Sequence, residues 1–388
     1  MARIAAIDTF RVPPRWIFVR VTTDDGYAGW GEAIVPKRSR AVVGAIEDMA
    51  ANLQGMEAGR IEDIAQRLRK GAFFRGGAVL ATAAAAIEQA LWDIKGKVHG
   101  LAVHEFLGGA VRNRLRAYAW IGGDEPDDVV EHARQRIEQG FTAVKMNATA
   151  ALGYVGELET IDAAAARMGA LRDAFGNGLD IALDFHGRVH RAALKPLLKE
   201  LEQFRPMWVE EPVTPENEES LKTLARTAGS IPVATGERLT SRWEFKRLLD
   251  SGAVDIIQPD VSLTGLFELE KIARLAEIYD VAVAPHCPNG PVSLAASLQV
   301  GFCCPNVVIQ EQSLGLHYHQ GFSGLPQGDL LDYLTDPQPL TVVDGAFPLN
   351  SRAGLGIELD TDKIAAARTD WYLPDPDWTH ADGTYAEW

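Results

Sequence analysis

The 388-residue sequence predicts an α/β protein: a (β/α)8 barrel of the TIM type preceded by an N-terminal α+β domain. Three observations carry this expectation. Short apolar runs rich in Val, Ile and Ala recur along residues 140 to 311, as parallel strands buried on both faces do. Seven such runs lead into polar residues at Lys145, Asp184, Glu210, Glu237, Asp260, His286 and Glu311, with one longer first step and nearly even spacing after it. Each step accommodates one strand, one helix and two loops. With LRAYAWI at 115–121 the strands number eight, and the polar residues fall where a barrel of this type carries its functional groups, at the carboxyl ends of its strands.

Residues 1–113 do not follow this repeat. ARIAAIDTFRV and WIFVRVTT alternate apolar and polar positions as half-exposed strands do, and Asp25-Gly26 before YAGWGEAI signals a hairpin. IEDIAQRLRK and the Ala-rich stretch ending at Lys97 read as helices. Glu88, Gln89 and Asp93 interrupt the Ala-rich stretch, which suits a buried core helix and not a membrane span. Within the barrel, residues 114–350, the segment 126–139 opens on proline and acidic residues and aligns Val129, Ala133 and Ile137. FELEKIARLAEIYD places Ile272, Leu275, Ala276 and Tyr279 at helical spacing, so both segments predict outer-layer helices. Residues 351–388 turn to Pro, Asp and Trp, the composition of a tail lying over another domain or of a loosely ordered terminus.

A net charge of −15, with no run of Lys or Arg long enough for a basic stripe, excludes nucleic acid and anionic membrane as expected partners. An anionic small molecule would need a metal and a few local cations to draw it in. MARIAAIDTF has no long apolar core of a signal peptide, so a cytoplasmic protein is expected. Cys287, Cys303 and Cys304 lack the spacing of a disulfide framework or a zinc site and read as packing residues.

Asp184, Glu210 and Glu237 end three consecutive strands, so their carboxylates can converge on one point. Three hard oxygen ligands suit Mg²⁺ better than zinc, and their mutual repulsion calls for a cation. A zinc hydrolase is the poorer reading, because no His-x-His pair accompanies the acids. His186 follows Asp184 by two residues, and the strand period of two would put both on one face. Asp260 and His286 end neighbouring strands, and an Asp bonded to one imidazole nitrogen raises the basicity of the other. Lys145 and Glu311 would flank the metal on opposite sides and support a substrate carboxylate, Lys145 as a cation and Glu311 if protonated. Together these groups suit removal of a proton next to a carboxylate, hence racemisation or dehydration through an enediolate.

PPRWIFVRV, FFRGG, ALWDIKGKVHG, DFHGRV, EEPV, GER, QPD, APHCPNGP, IQEQSLGLHY and the closing AEW resemble the enolase superfamily in its mandelate racemase branch, over nearly the whole chain; base-plus-Mg²⁺ chemistry is general knowledge of that superfamily. The resemblance implies an enolase-like modified barrel under an N-terminal capping domain. It also implies Mg²⁺ on Asp184, Glu210 and Glu237, proton abstraction from C2 of an acid sugar by His286 with Asp260, and protonation of the departing 3-hydroxyl by His186. The expected substrate is an aldonic acid, D-galactonate first, with gluconate or arabinonate, epimerisation, or a catalytically silent binding protein as alternatives. Arg15 and Arg75 lie in segments resembling the family's substrate-covering loops. Asn147 in KMN stands where racemase-type relatives carry a second lysine, which favours dehydration. The resemblance further implies an even-numbered homo-oligomer such as an octamer. Three departures bear on the substrate and not on the reaction class. VSLTGLFE after Asp260 has one Gly and one residue fewer than the paired-glycine pattern, which could shift Asp260 relative to His286, and ATG before Glu237 and FF before Arg75 also differ.

Overall fold

Alternation at the start of the chain becomes a three-stranded antiparallel sheet of β1 (Ile4–Val12), β2 (Trp16–Thr23) and β3 (Ala28–Ala33), in that spatial order. The computed structural model describes residues 2–150, 152–224, 229–316, 319, 327–371, 373, 378–380 and 382–386. Helices α1 (Ser39–Ala51), α2 (Ile61–Lys70), α3 (Ala78–His99) and α4 (Val103–Phe106) follow the sheet. The long α3 lies against β3 so closely that a Cβ at Gly31 would collide with the backbone oxygen of Ala86.

The polar residues that interrupt the Ala-rich run are buried, and each has a task. β3 is an edge strand, and its outward N–H groups would be costly if buried unpaired. Trp30 N–H donates to Asp93 Oδ2 at 3.0 Å, Glu32 N–H to Gln89 Oε1 at 3.0 Å, and Ile34 N–H to Thr82 Oγ1 at 2.9 Å. The helix therefore seals the sheet edge with side chains. Glu88 reaches the other way, accepting from the N–H groups of Leu266 and Phe267 at 2.7 and 3.0 Å and so tying the N-terminal region to the barrel.

The eight expected strands are present: β4 (Arg114–Trp120), β5 (Ala143–Asn147), β6 (Asp180–Asp184), β7 (Trp208–Glu210), β8 (Val233–Thr235), β9 (Ile256–Ile257), β10 (Ala282–Val283) and β11 (Gln310–Glu311). Neighbours from β4 to β10 pair in parallel and β11 returns to pair with β4. A parallel bridge between Val283 and Val307 closes the ring, with Val283 N–H donating to Asn306 O at 2.8 Å and Val308 N–H to Val283 O at 2.9 Å. Helices α5 (Pro126–Glu138), α6 (Leu158–Phe175), α7 (Arg191–Glu202), α8 (Leu221–Leu224), α9 (Arg242–Asp250), α10 (Val261–Thr264), α11 (Leu266–Ile278) and α12 (Pro291–Cys303) connect the strands. Val129 and Ala133 of α5 and Ile272 and Ala276 of α11 are buried as their spacing predicts, whereas Ile137 and Tyr279, at the helix ends, remain partly in solvent.

The barrel interior is filled and is not a channel. Tyr118 and Trp208 meet edge to face at 5.7 Å, and Ala143, Ala182, Ala234 and Ala284 on other strands leave room for these two large rings. A short β12 (Ala346–Pro348) adds antiparallel to β4, and α13 (Thr361–Ala367) lies near β1, where Thr369 N–H donates to Arg11 O at 3.0 Å. The three cysteines are free and buried, as their spacing suggests. Among the described residues no helix is long and apolar enough to cross a membrane.

The close approach of β3 to α3 predicts that Gly31→Ala forces the two apart and destabilises the protein by about 1–3 kcal/mol, the usual cost of overpacking. Urea unfolding with an unchanged m-value would measure it. A loss no larger than that of a harmless surface substitution would contradict the packing described.

Candidate active site

Strand pairing fixes the acids. Asp184 and Glu210 are register partners at the ends of β6 and β7, while Glu237 lies two residues past β8. One ligand atom from each of the three lies within 4.8 Å of the others, close to the spacing of adjacent strands. Asp184 and Glu210 are fully buried. Burial, then the charges of Glu211, Asp184 and Glu210, push the Glu237 carboxyl well above the usual range. Its Oε2 is buried without a hydrogen-bond partner. A clustered set of carboxylate oxygens, one of them unsatisfied, fits a hard divalent cation such as Mg²⁺.

Lys145 sits beneath the triad, 1 % exposed, with Nζ donating to Glu210 Oε1 at 2.7 Å and lying 2.8 Å from Glu311 Oε1 and 3.3 Å from Asp184 Oδ2. Burial opposes its charge, yet Glu210 and Glu311 outweigh that and hold its pKa well above the ordinary lysine value. The expectation that Lys145 and Glu311 stand on opposite sides of the metal is corrected. Ring closure leaves only β4 between their strands, and the two side chains form an ion pair. Glu311 also accepts Cys287 N–H at 2.8 Å, so both of its oxygens face donors.

His186 reaches the triad by a different route from the one its spacing suggests. β6 stops at Asp184, and His186 takes φ 50°, a left-handed conformation uncommon outside glycine. The turn brings its N–H to Asp184 Oδ1 at 2.9 Å and its Nε2 to within 3.3 Å of Asp184 Oδ2. Arg188, 7 % exposed, lies 3.3 Å from His186 Nδ1, an arrangement in which the guanidinium donates to the ring nitrogen. Burial, then Arg188 and Lys145, depress the imidazole pKa to about 3. His186 is therefore neutral, with its proton assigned to Nε2 by the arginine.

His286 has the opposite environment. Its Nδ1 lies 2.8 Å from Asp260 Oδ2, and its Nε2 lies 3.8 Å from Glu237 Oε2. Burial lowers its pKa, but Glu237, Glu311 and the Asp260 hydrogen bond outweigh this and raise it to about 10. The shortened loop after Asp260 does not separate the pair: Asp260 caps the short α10 by accepting Ser262 N–H at 2.7 Å. β6 and β10 are four strands apart in a ring of eight, so the two imidazoles come from opposite sides of the mouth.

Arg15 donates to Pro288 O at 2.9 Å, two residues from His286, and exposed Asn147 ends β5 as the register partner of Asp184. Arg75 is exposed in the loop before α3, and no described contact links it to the triad. His190 stacks on Tyr154 at 4.0 Å and buried His319 lies 3.1 Å from Asp329 Oδ1, while His317 is outside the described residues. Arg188 and the Glu211–Arg238 pair, two contacts of 2.7 Å with Arg238 also donating to His186 O, are absent from the sequence expectations. The quoted EEPV, GER and DFHGRV segments contain them, and a charged residue close after each expected ligand was the available signal.

Residues 5–108 match the N-terminal domain of the mandelate racemase / muconate lactonizing enzyme family, and residues 128–363 match the enolase C-terminal domain-like family. The chain belongs to the mandelate racemase branch of the enolase superfamily. It is 45 % identical over 390 residues to D-galactonate dehydratase of Verminephrobacter eiseniae and equally to that of Variovorax paradoxus, with the whole of each chain covered. Among solved structures, an enolase from Agrobacterium radiobacter with bound Na and L-malate matches at a TM-score of 0.90 and 31 % identity, covering 99 % of both chains. These full-length matches place the chain among the hydro-lyases of that superfamily.

A cation in the triad would neutralise Glu237 and repel a protonated His286, so its pKa must fall on metal binding. In metal-free protein the His286 ring signals should titrate near 10, and Mg²⁺ should move that midpoint down, as read by NMR of ring-labelled histidine. Stability linked to this raised pKa is fully present below the unfolded value of about 6.5 and is lost as pH rises towards 10. A midpoint that Mg²⁺ leaves in place would contradict a cation site beside His286.

Proposed function

We propose that this protein dehydrates an aldonic acid, most directly D-galactonate, to 2-dehydro-3-deoxy-D-galactonate and water. The observation that supports the reading best is the pair of facing imidazoles with opposite partners, His286 on Asp260 and His186 on Arg188, above three converging carboxylates. Asp184, Glu210 and Glu237 would hold Mg²⁺, which when bound supplies positive charge to the substrate carboxylate as the enediolate develops.

The chain's own groups do the rest. Asp260 orients the His286 imidazole so that Nε2, in its neutral form, takes the C2 proton. The electron pair released from the C2–H bond passes into the substrate carboxylate to give the enediolate, then returns to form the C2–C3 double bond as the C3–O bond breaks, and His186 Nε2–H gives its proton to the departing hydroxyl. Water leaves, and the enol tautomerises to the 2-keto acid. Lys145 neutralises part of the acid cluster and fixes Glu210 and Glu311. Arg15 and Asn147 border the mouth as substrate-binding candidates, and Arg75 could join them only by movement of its loop. In this reading residues 1–113 form the cap, 114–350 the barrel and 351–388 a tail packed on the cap.

Another aldonate, such as gluconate or arabinonate, remains the second reading, because hydroxyl stereochemistry is read by loop side chains in which this chain and its relatives can differ. A silent binding protein is disfavoured by the intact 2.8 Å Asp260–His286 contact. Purified protein with Mg²⁺ should yield a 2-keto-3-deoxy acid from D-galactonate, followed by NMR in D₂O, and His286→Asn should lower kcat by about 10²- to 10⁴-fold, the usual contribution of a general base. C2 exchange without loss of water would indicate epimerisation. No product from D-galactonate, gluconate or arabinonate would end the proposal.

A further inference from the structure

The Asp260–His286 pair is held from behind by a buried polar group that none of the roles above uses. Asn289, 3 % exposed, places Nδ2 at 3.0 Å from both Asp260 oxygens and at 3.0 Å from Ser262 Oγ. The opposite amide flip would set an oxygen against the carboxylate, so the donor assignment follows from chemistry. Ser313 Oγ donates to the backbone oxygen of Asn289 at 2.6 Å, which fixes the residue from the loop after β11.

The next residue is anchored from outside the barrel. Glu32 of β3 is fully buried and accepts N–H bonds from Gly290 at 2.6 Å, Val292 at 3.1 Å and Ser293 at 3.2 Å. Gly290 is required for that approach: a Cβ there would lie 2.7 Å from both Glu32 oxygens and 2.8 Å from the Trp16 ring. Ser293 Oγ lies 2.6 Å from Ser262 Oγ, which closes the network back onto Asp260 through Ser262. Residues 286–290 thus carry the imidazole at one end and the Glu32 anchor at the other, with Asn289 between them on the carboxylate.

We propose that Asn289 is a positioning residue for proton abstraction, clamping Asp260 beneath His286, and that Glu32 of the N-terminal sheet holds Asn289 in place. The proposal rests on the reading of His286 as the base. It gives the N-terminal domain a share in the chemistry beyond covering the mouth, because its β3 fixes the backbone that orients the base. A carboxylate free to turn would let the imidazole leave the line to C2, and misplacement of about 1 Å costs on the order of a hundredfold in rate.

The test compares parent, Asn289→Leu and Glu32→Gln. Asn289→Leu keeps the branched shape of the side chain in a bulkier form and removes the donor, and Glu32→Gln stands beside it as the less disruptive change. Its kcat on the aldonate should fall about tenfold to a hundredfold with little change in KM, and the isotope effect with C2-deuterated substrate should rise as abstraction becomes limiting. Glu32→Gln should act in the same direction to a smaller extent, and it carries the test if Asn289→Leu does not fold. A low-field proton resonance for the His286 Nδ1–H···Asp260 bond gives a readout that needs no turnover. It should be present in the parent and shifted or lost in both variants. Parent-like kcat, isotope effect and resonance in folded Asn289→Leu overturn the clamp, and the same result in Glu32→Gln overturns the anchor. A parent that converts no aldonate yet shows the resonance, lost in Asn289→Leu, overturns the assigned reaction and leaves the clamp standing.

Discussion

Repulsion among three carboxylates within 4.8 Å of one another is the constraint around which the barrel mouth is built. Parallel pairing of β6 and β7 places Asp184 and Glu210 side by side, and the segment leaving β8 brings Glu237 to them. Two positive charges can answer them. One is permanent, Lys145, so deeply buried that only its acidic neighbours keep it charged. The other would be a cation held by the triad, because Lys145 contacts Glu210 and Asp184 but leaves Glu237 Oε2 unsatisfied. The same field separates the histidines. Glu237 and Asp260 bear on His286, while Arg188 and Lys145 bear on His186, so one imidazole favours holding a proton and the other disfavours gaining a second.

Separate layers of the molecule support this arrangement. Small residues inside the barrel let Tyr118 and Trp208 fill it, and Trp208 Nε1 donates to Glu210 Oε2 at 3.0 Å, which orients a triad member from below. From the side, Glu32 and Glu88 carry N-terminal carboxylates to backbone N–H groups at the starts of α12 and α11, where burial raises the pKa of each while the N–H bonds oppose it. Helix N-termini favour negative charge, so these contacts use unpaired donors that any helix start presents. The two regions meet through specific polar contacts as well as apolar packing.

Much of this was legible in the sequence because it is local. Apolar runs marked the eight strands, and the polar residue following each run marked Asp184, Glu210, Glu237, Asp260 and His286. What failed was whatever depended on closure or on an irregular backbone. Lys145 and Glu311 lie at opposite ends of the β-α repeat and are neighbours only because β11 returns to β4. The link from His186 to Asp184 was expected from the strand period, yet it is made by a left-handed turn after the strand has ended. Arg188 offered only its charge close after Asp184, Asn289 lay inside APHCPNGP with nothing to mark its partner, and Glu32 carried no signal of its own. Glu32 finds Gly290 far along the chain, and a single acid in an alternating strand gives no hint of that partner.

The most direct test of the central claim is where a divalent cation binds. A crystal of the protein soaked in Mn²⁺, in complex with an unreactive aldonate analogue, should give an anomalous peak in contact with Asp184, Glu210 and Glu237, and C2 of the analogue should face His286 Nε2. Strong Mn²⁺ occupancy elsewhere with the triad empty, or a C2 turned away from both imidazoles, would contradict the account.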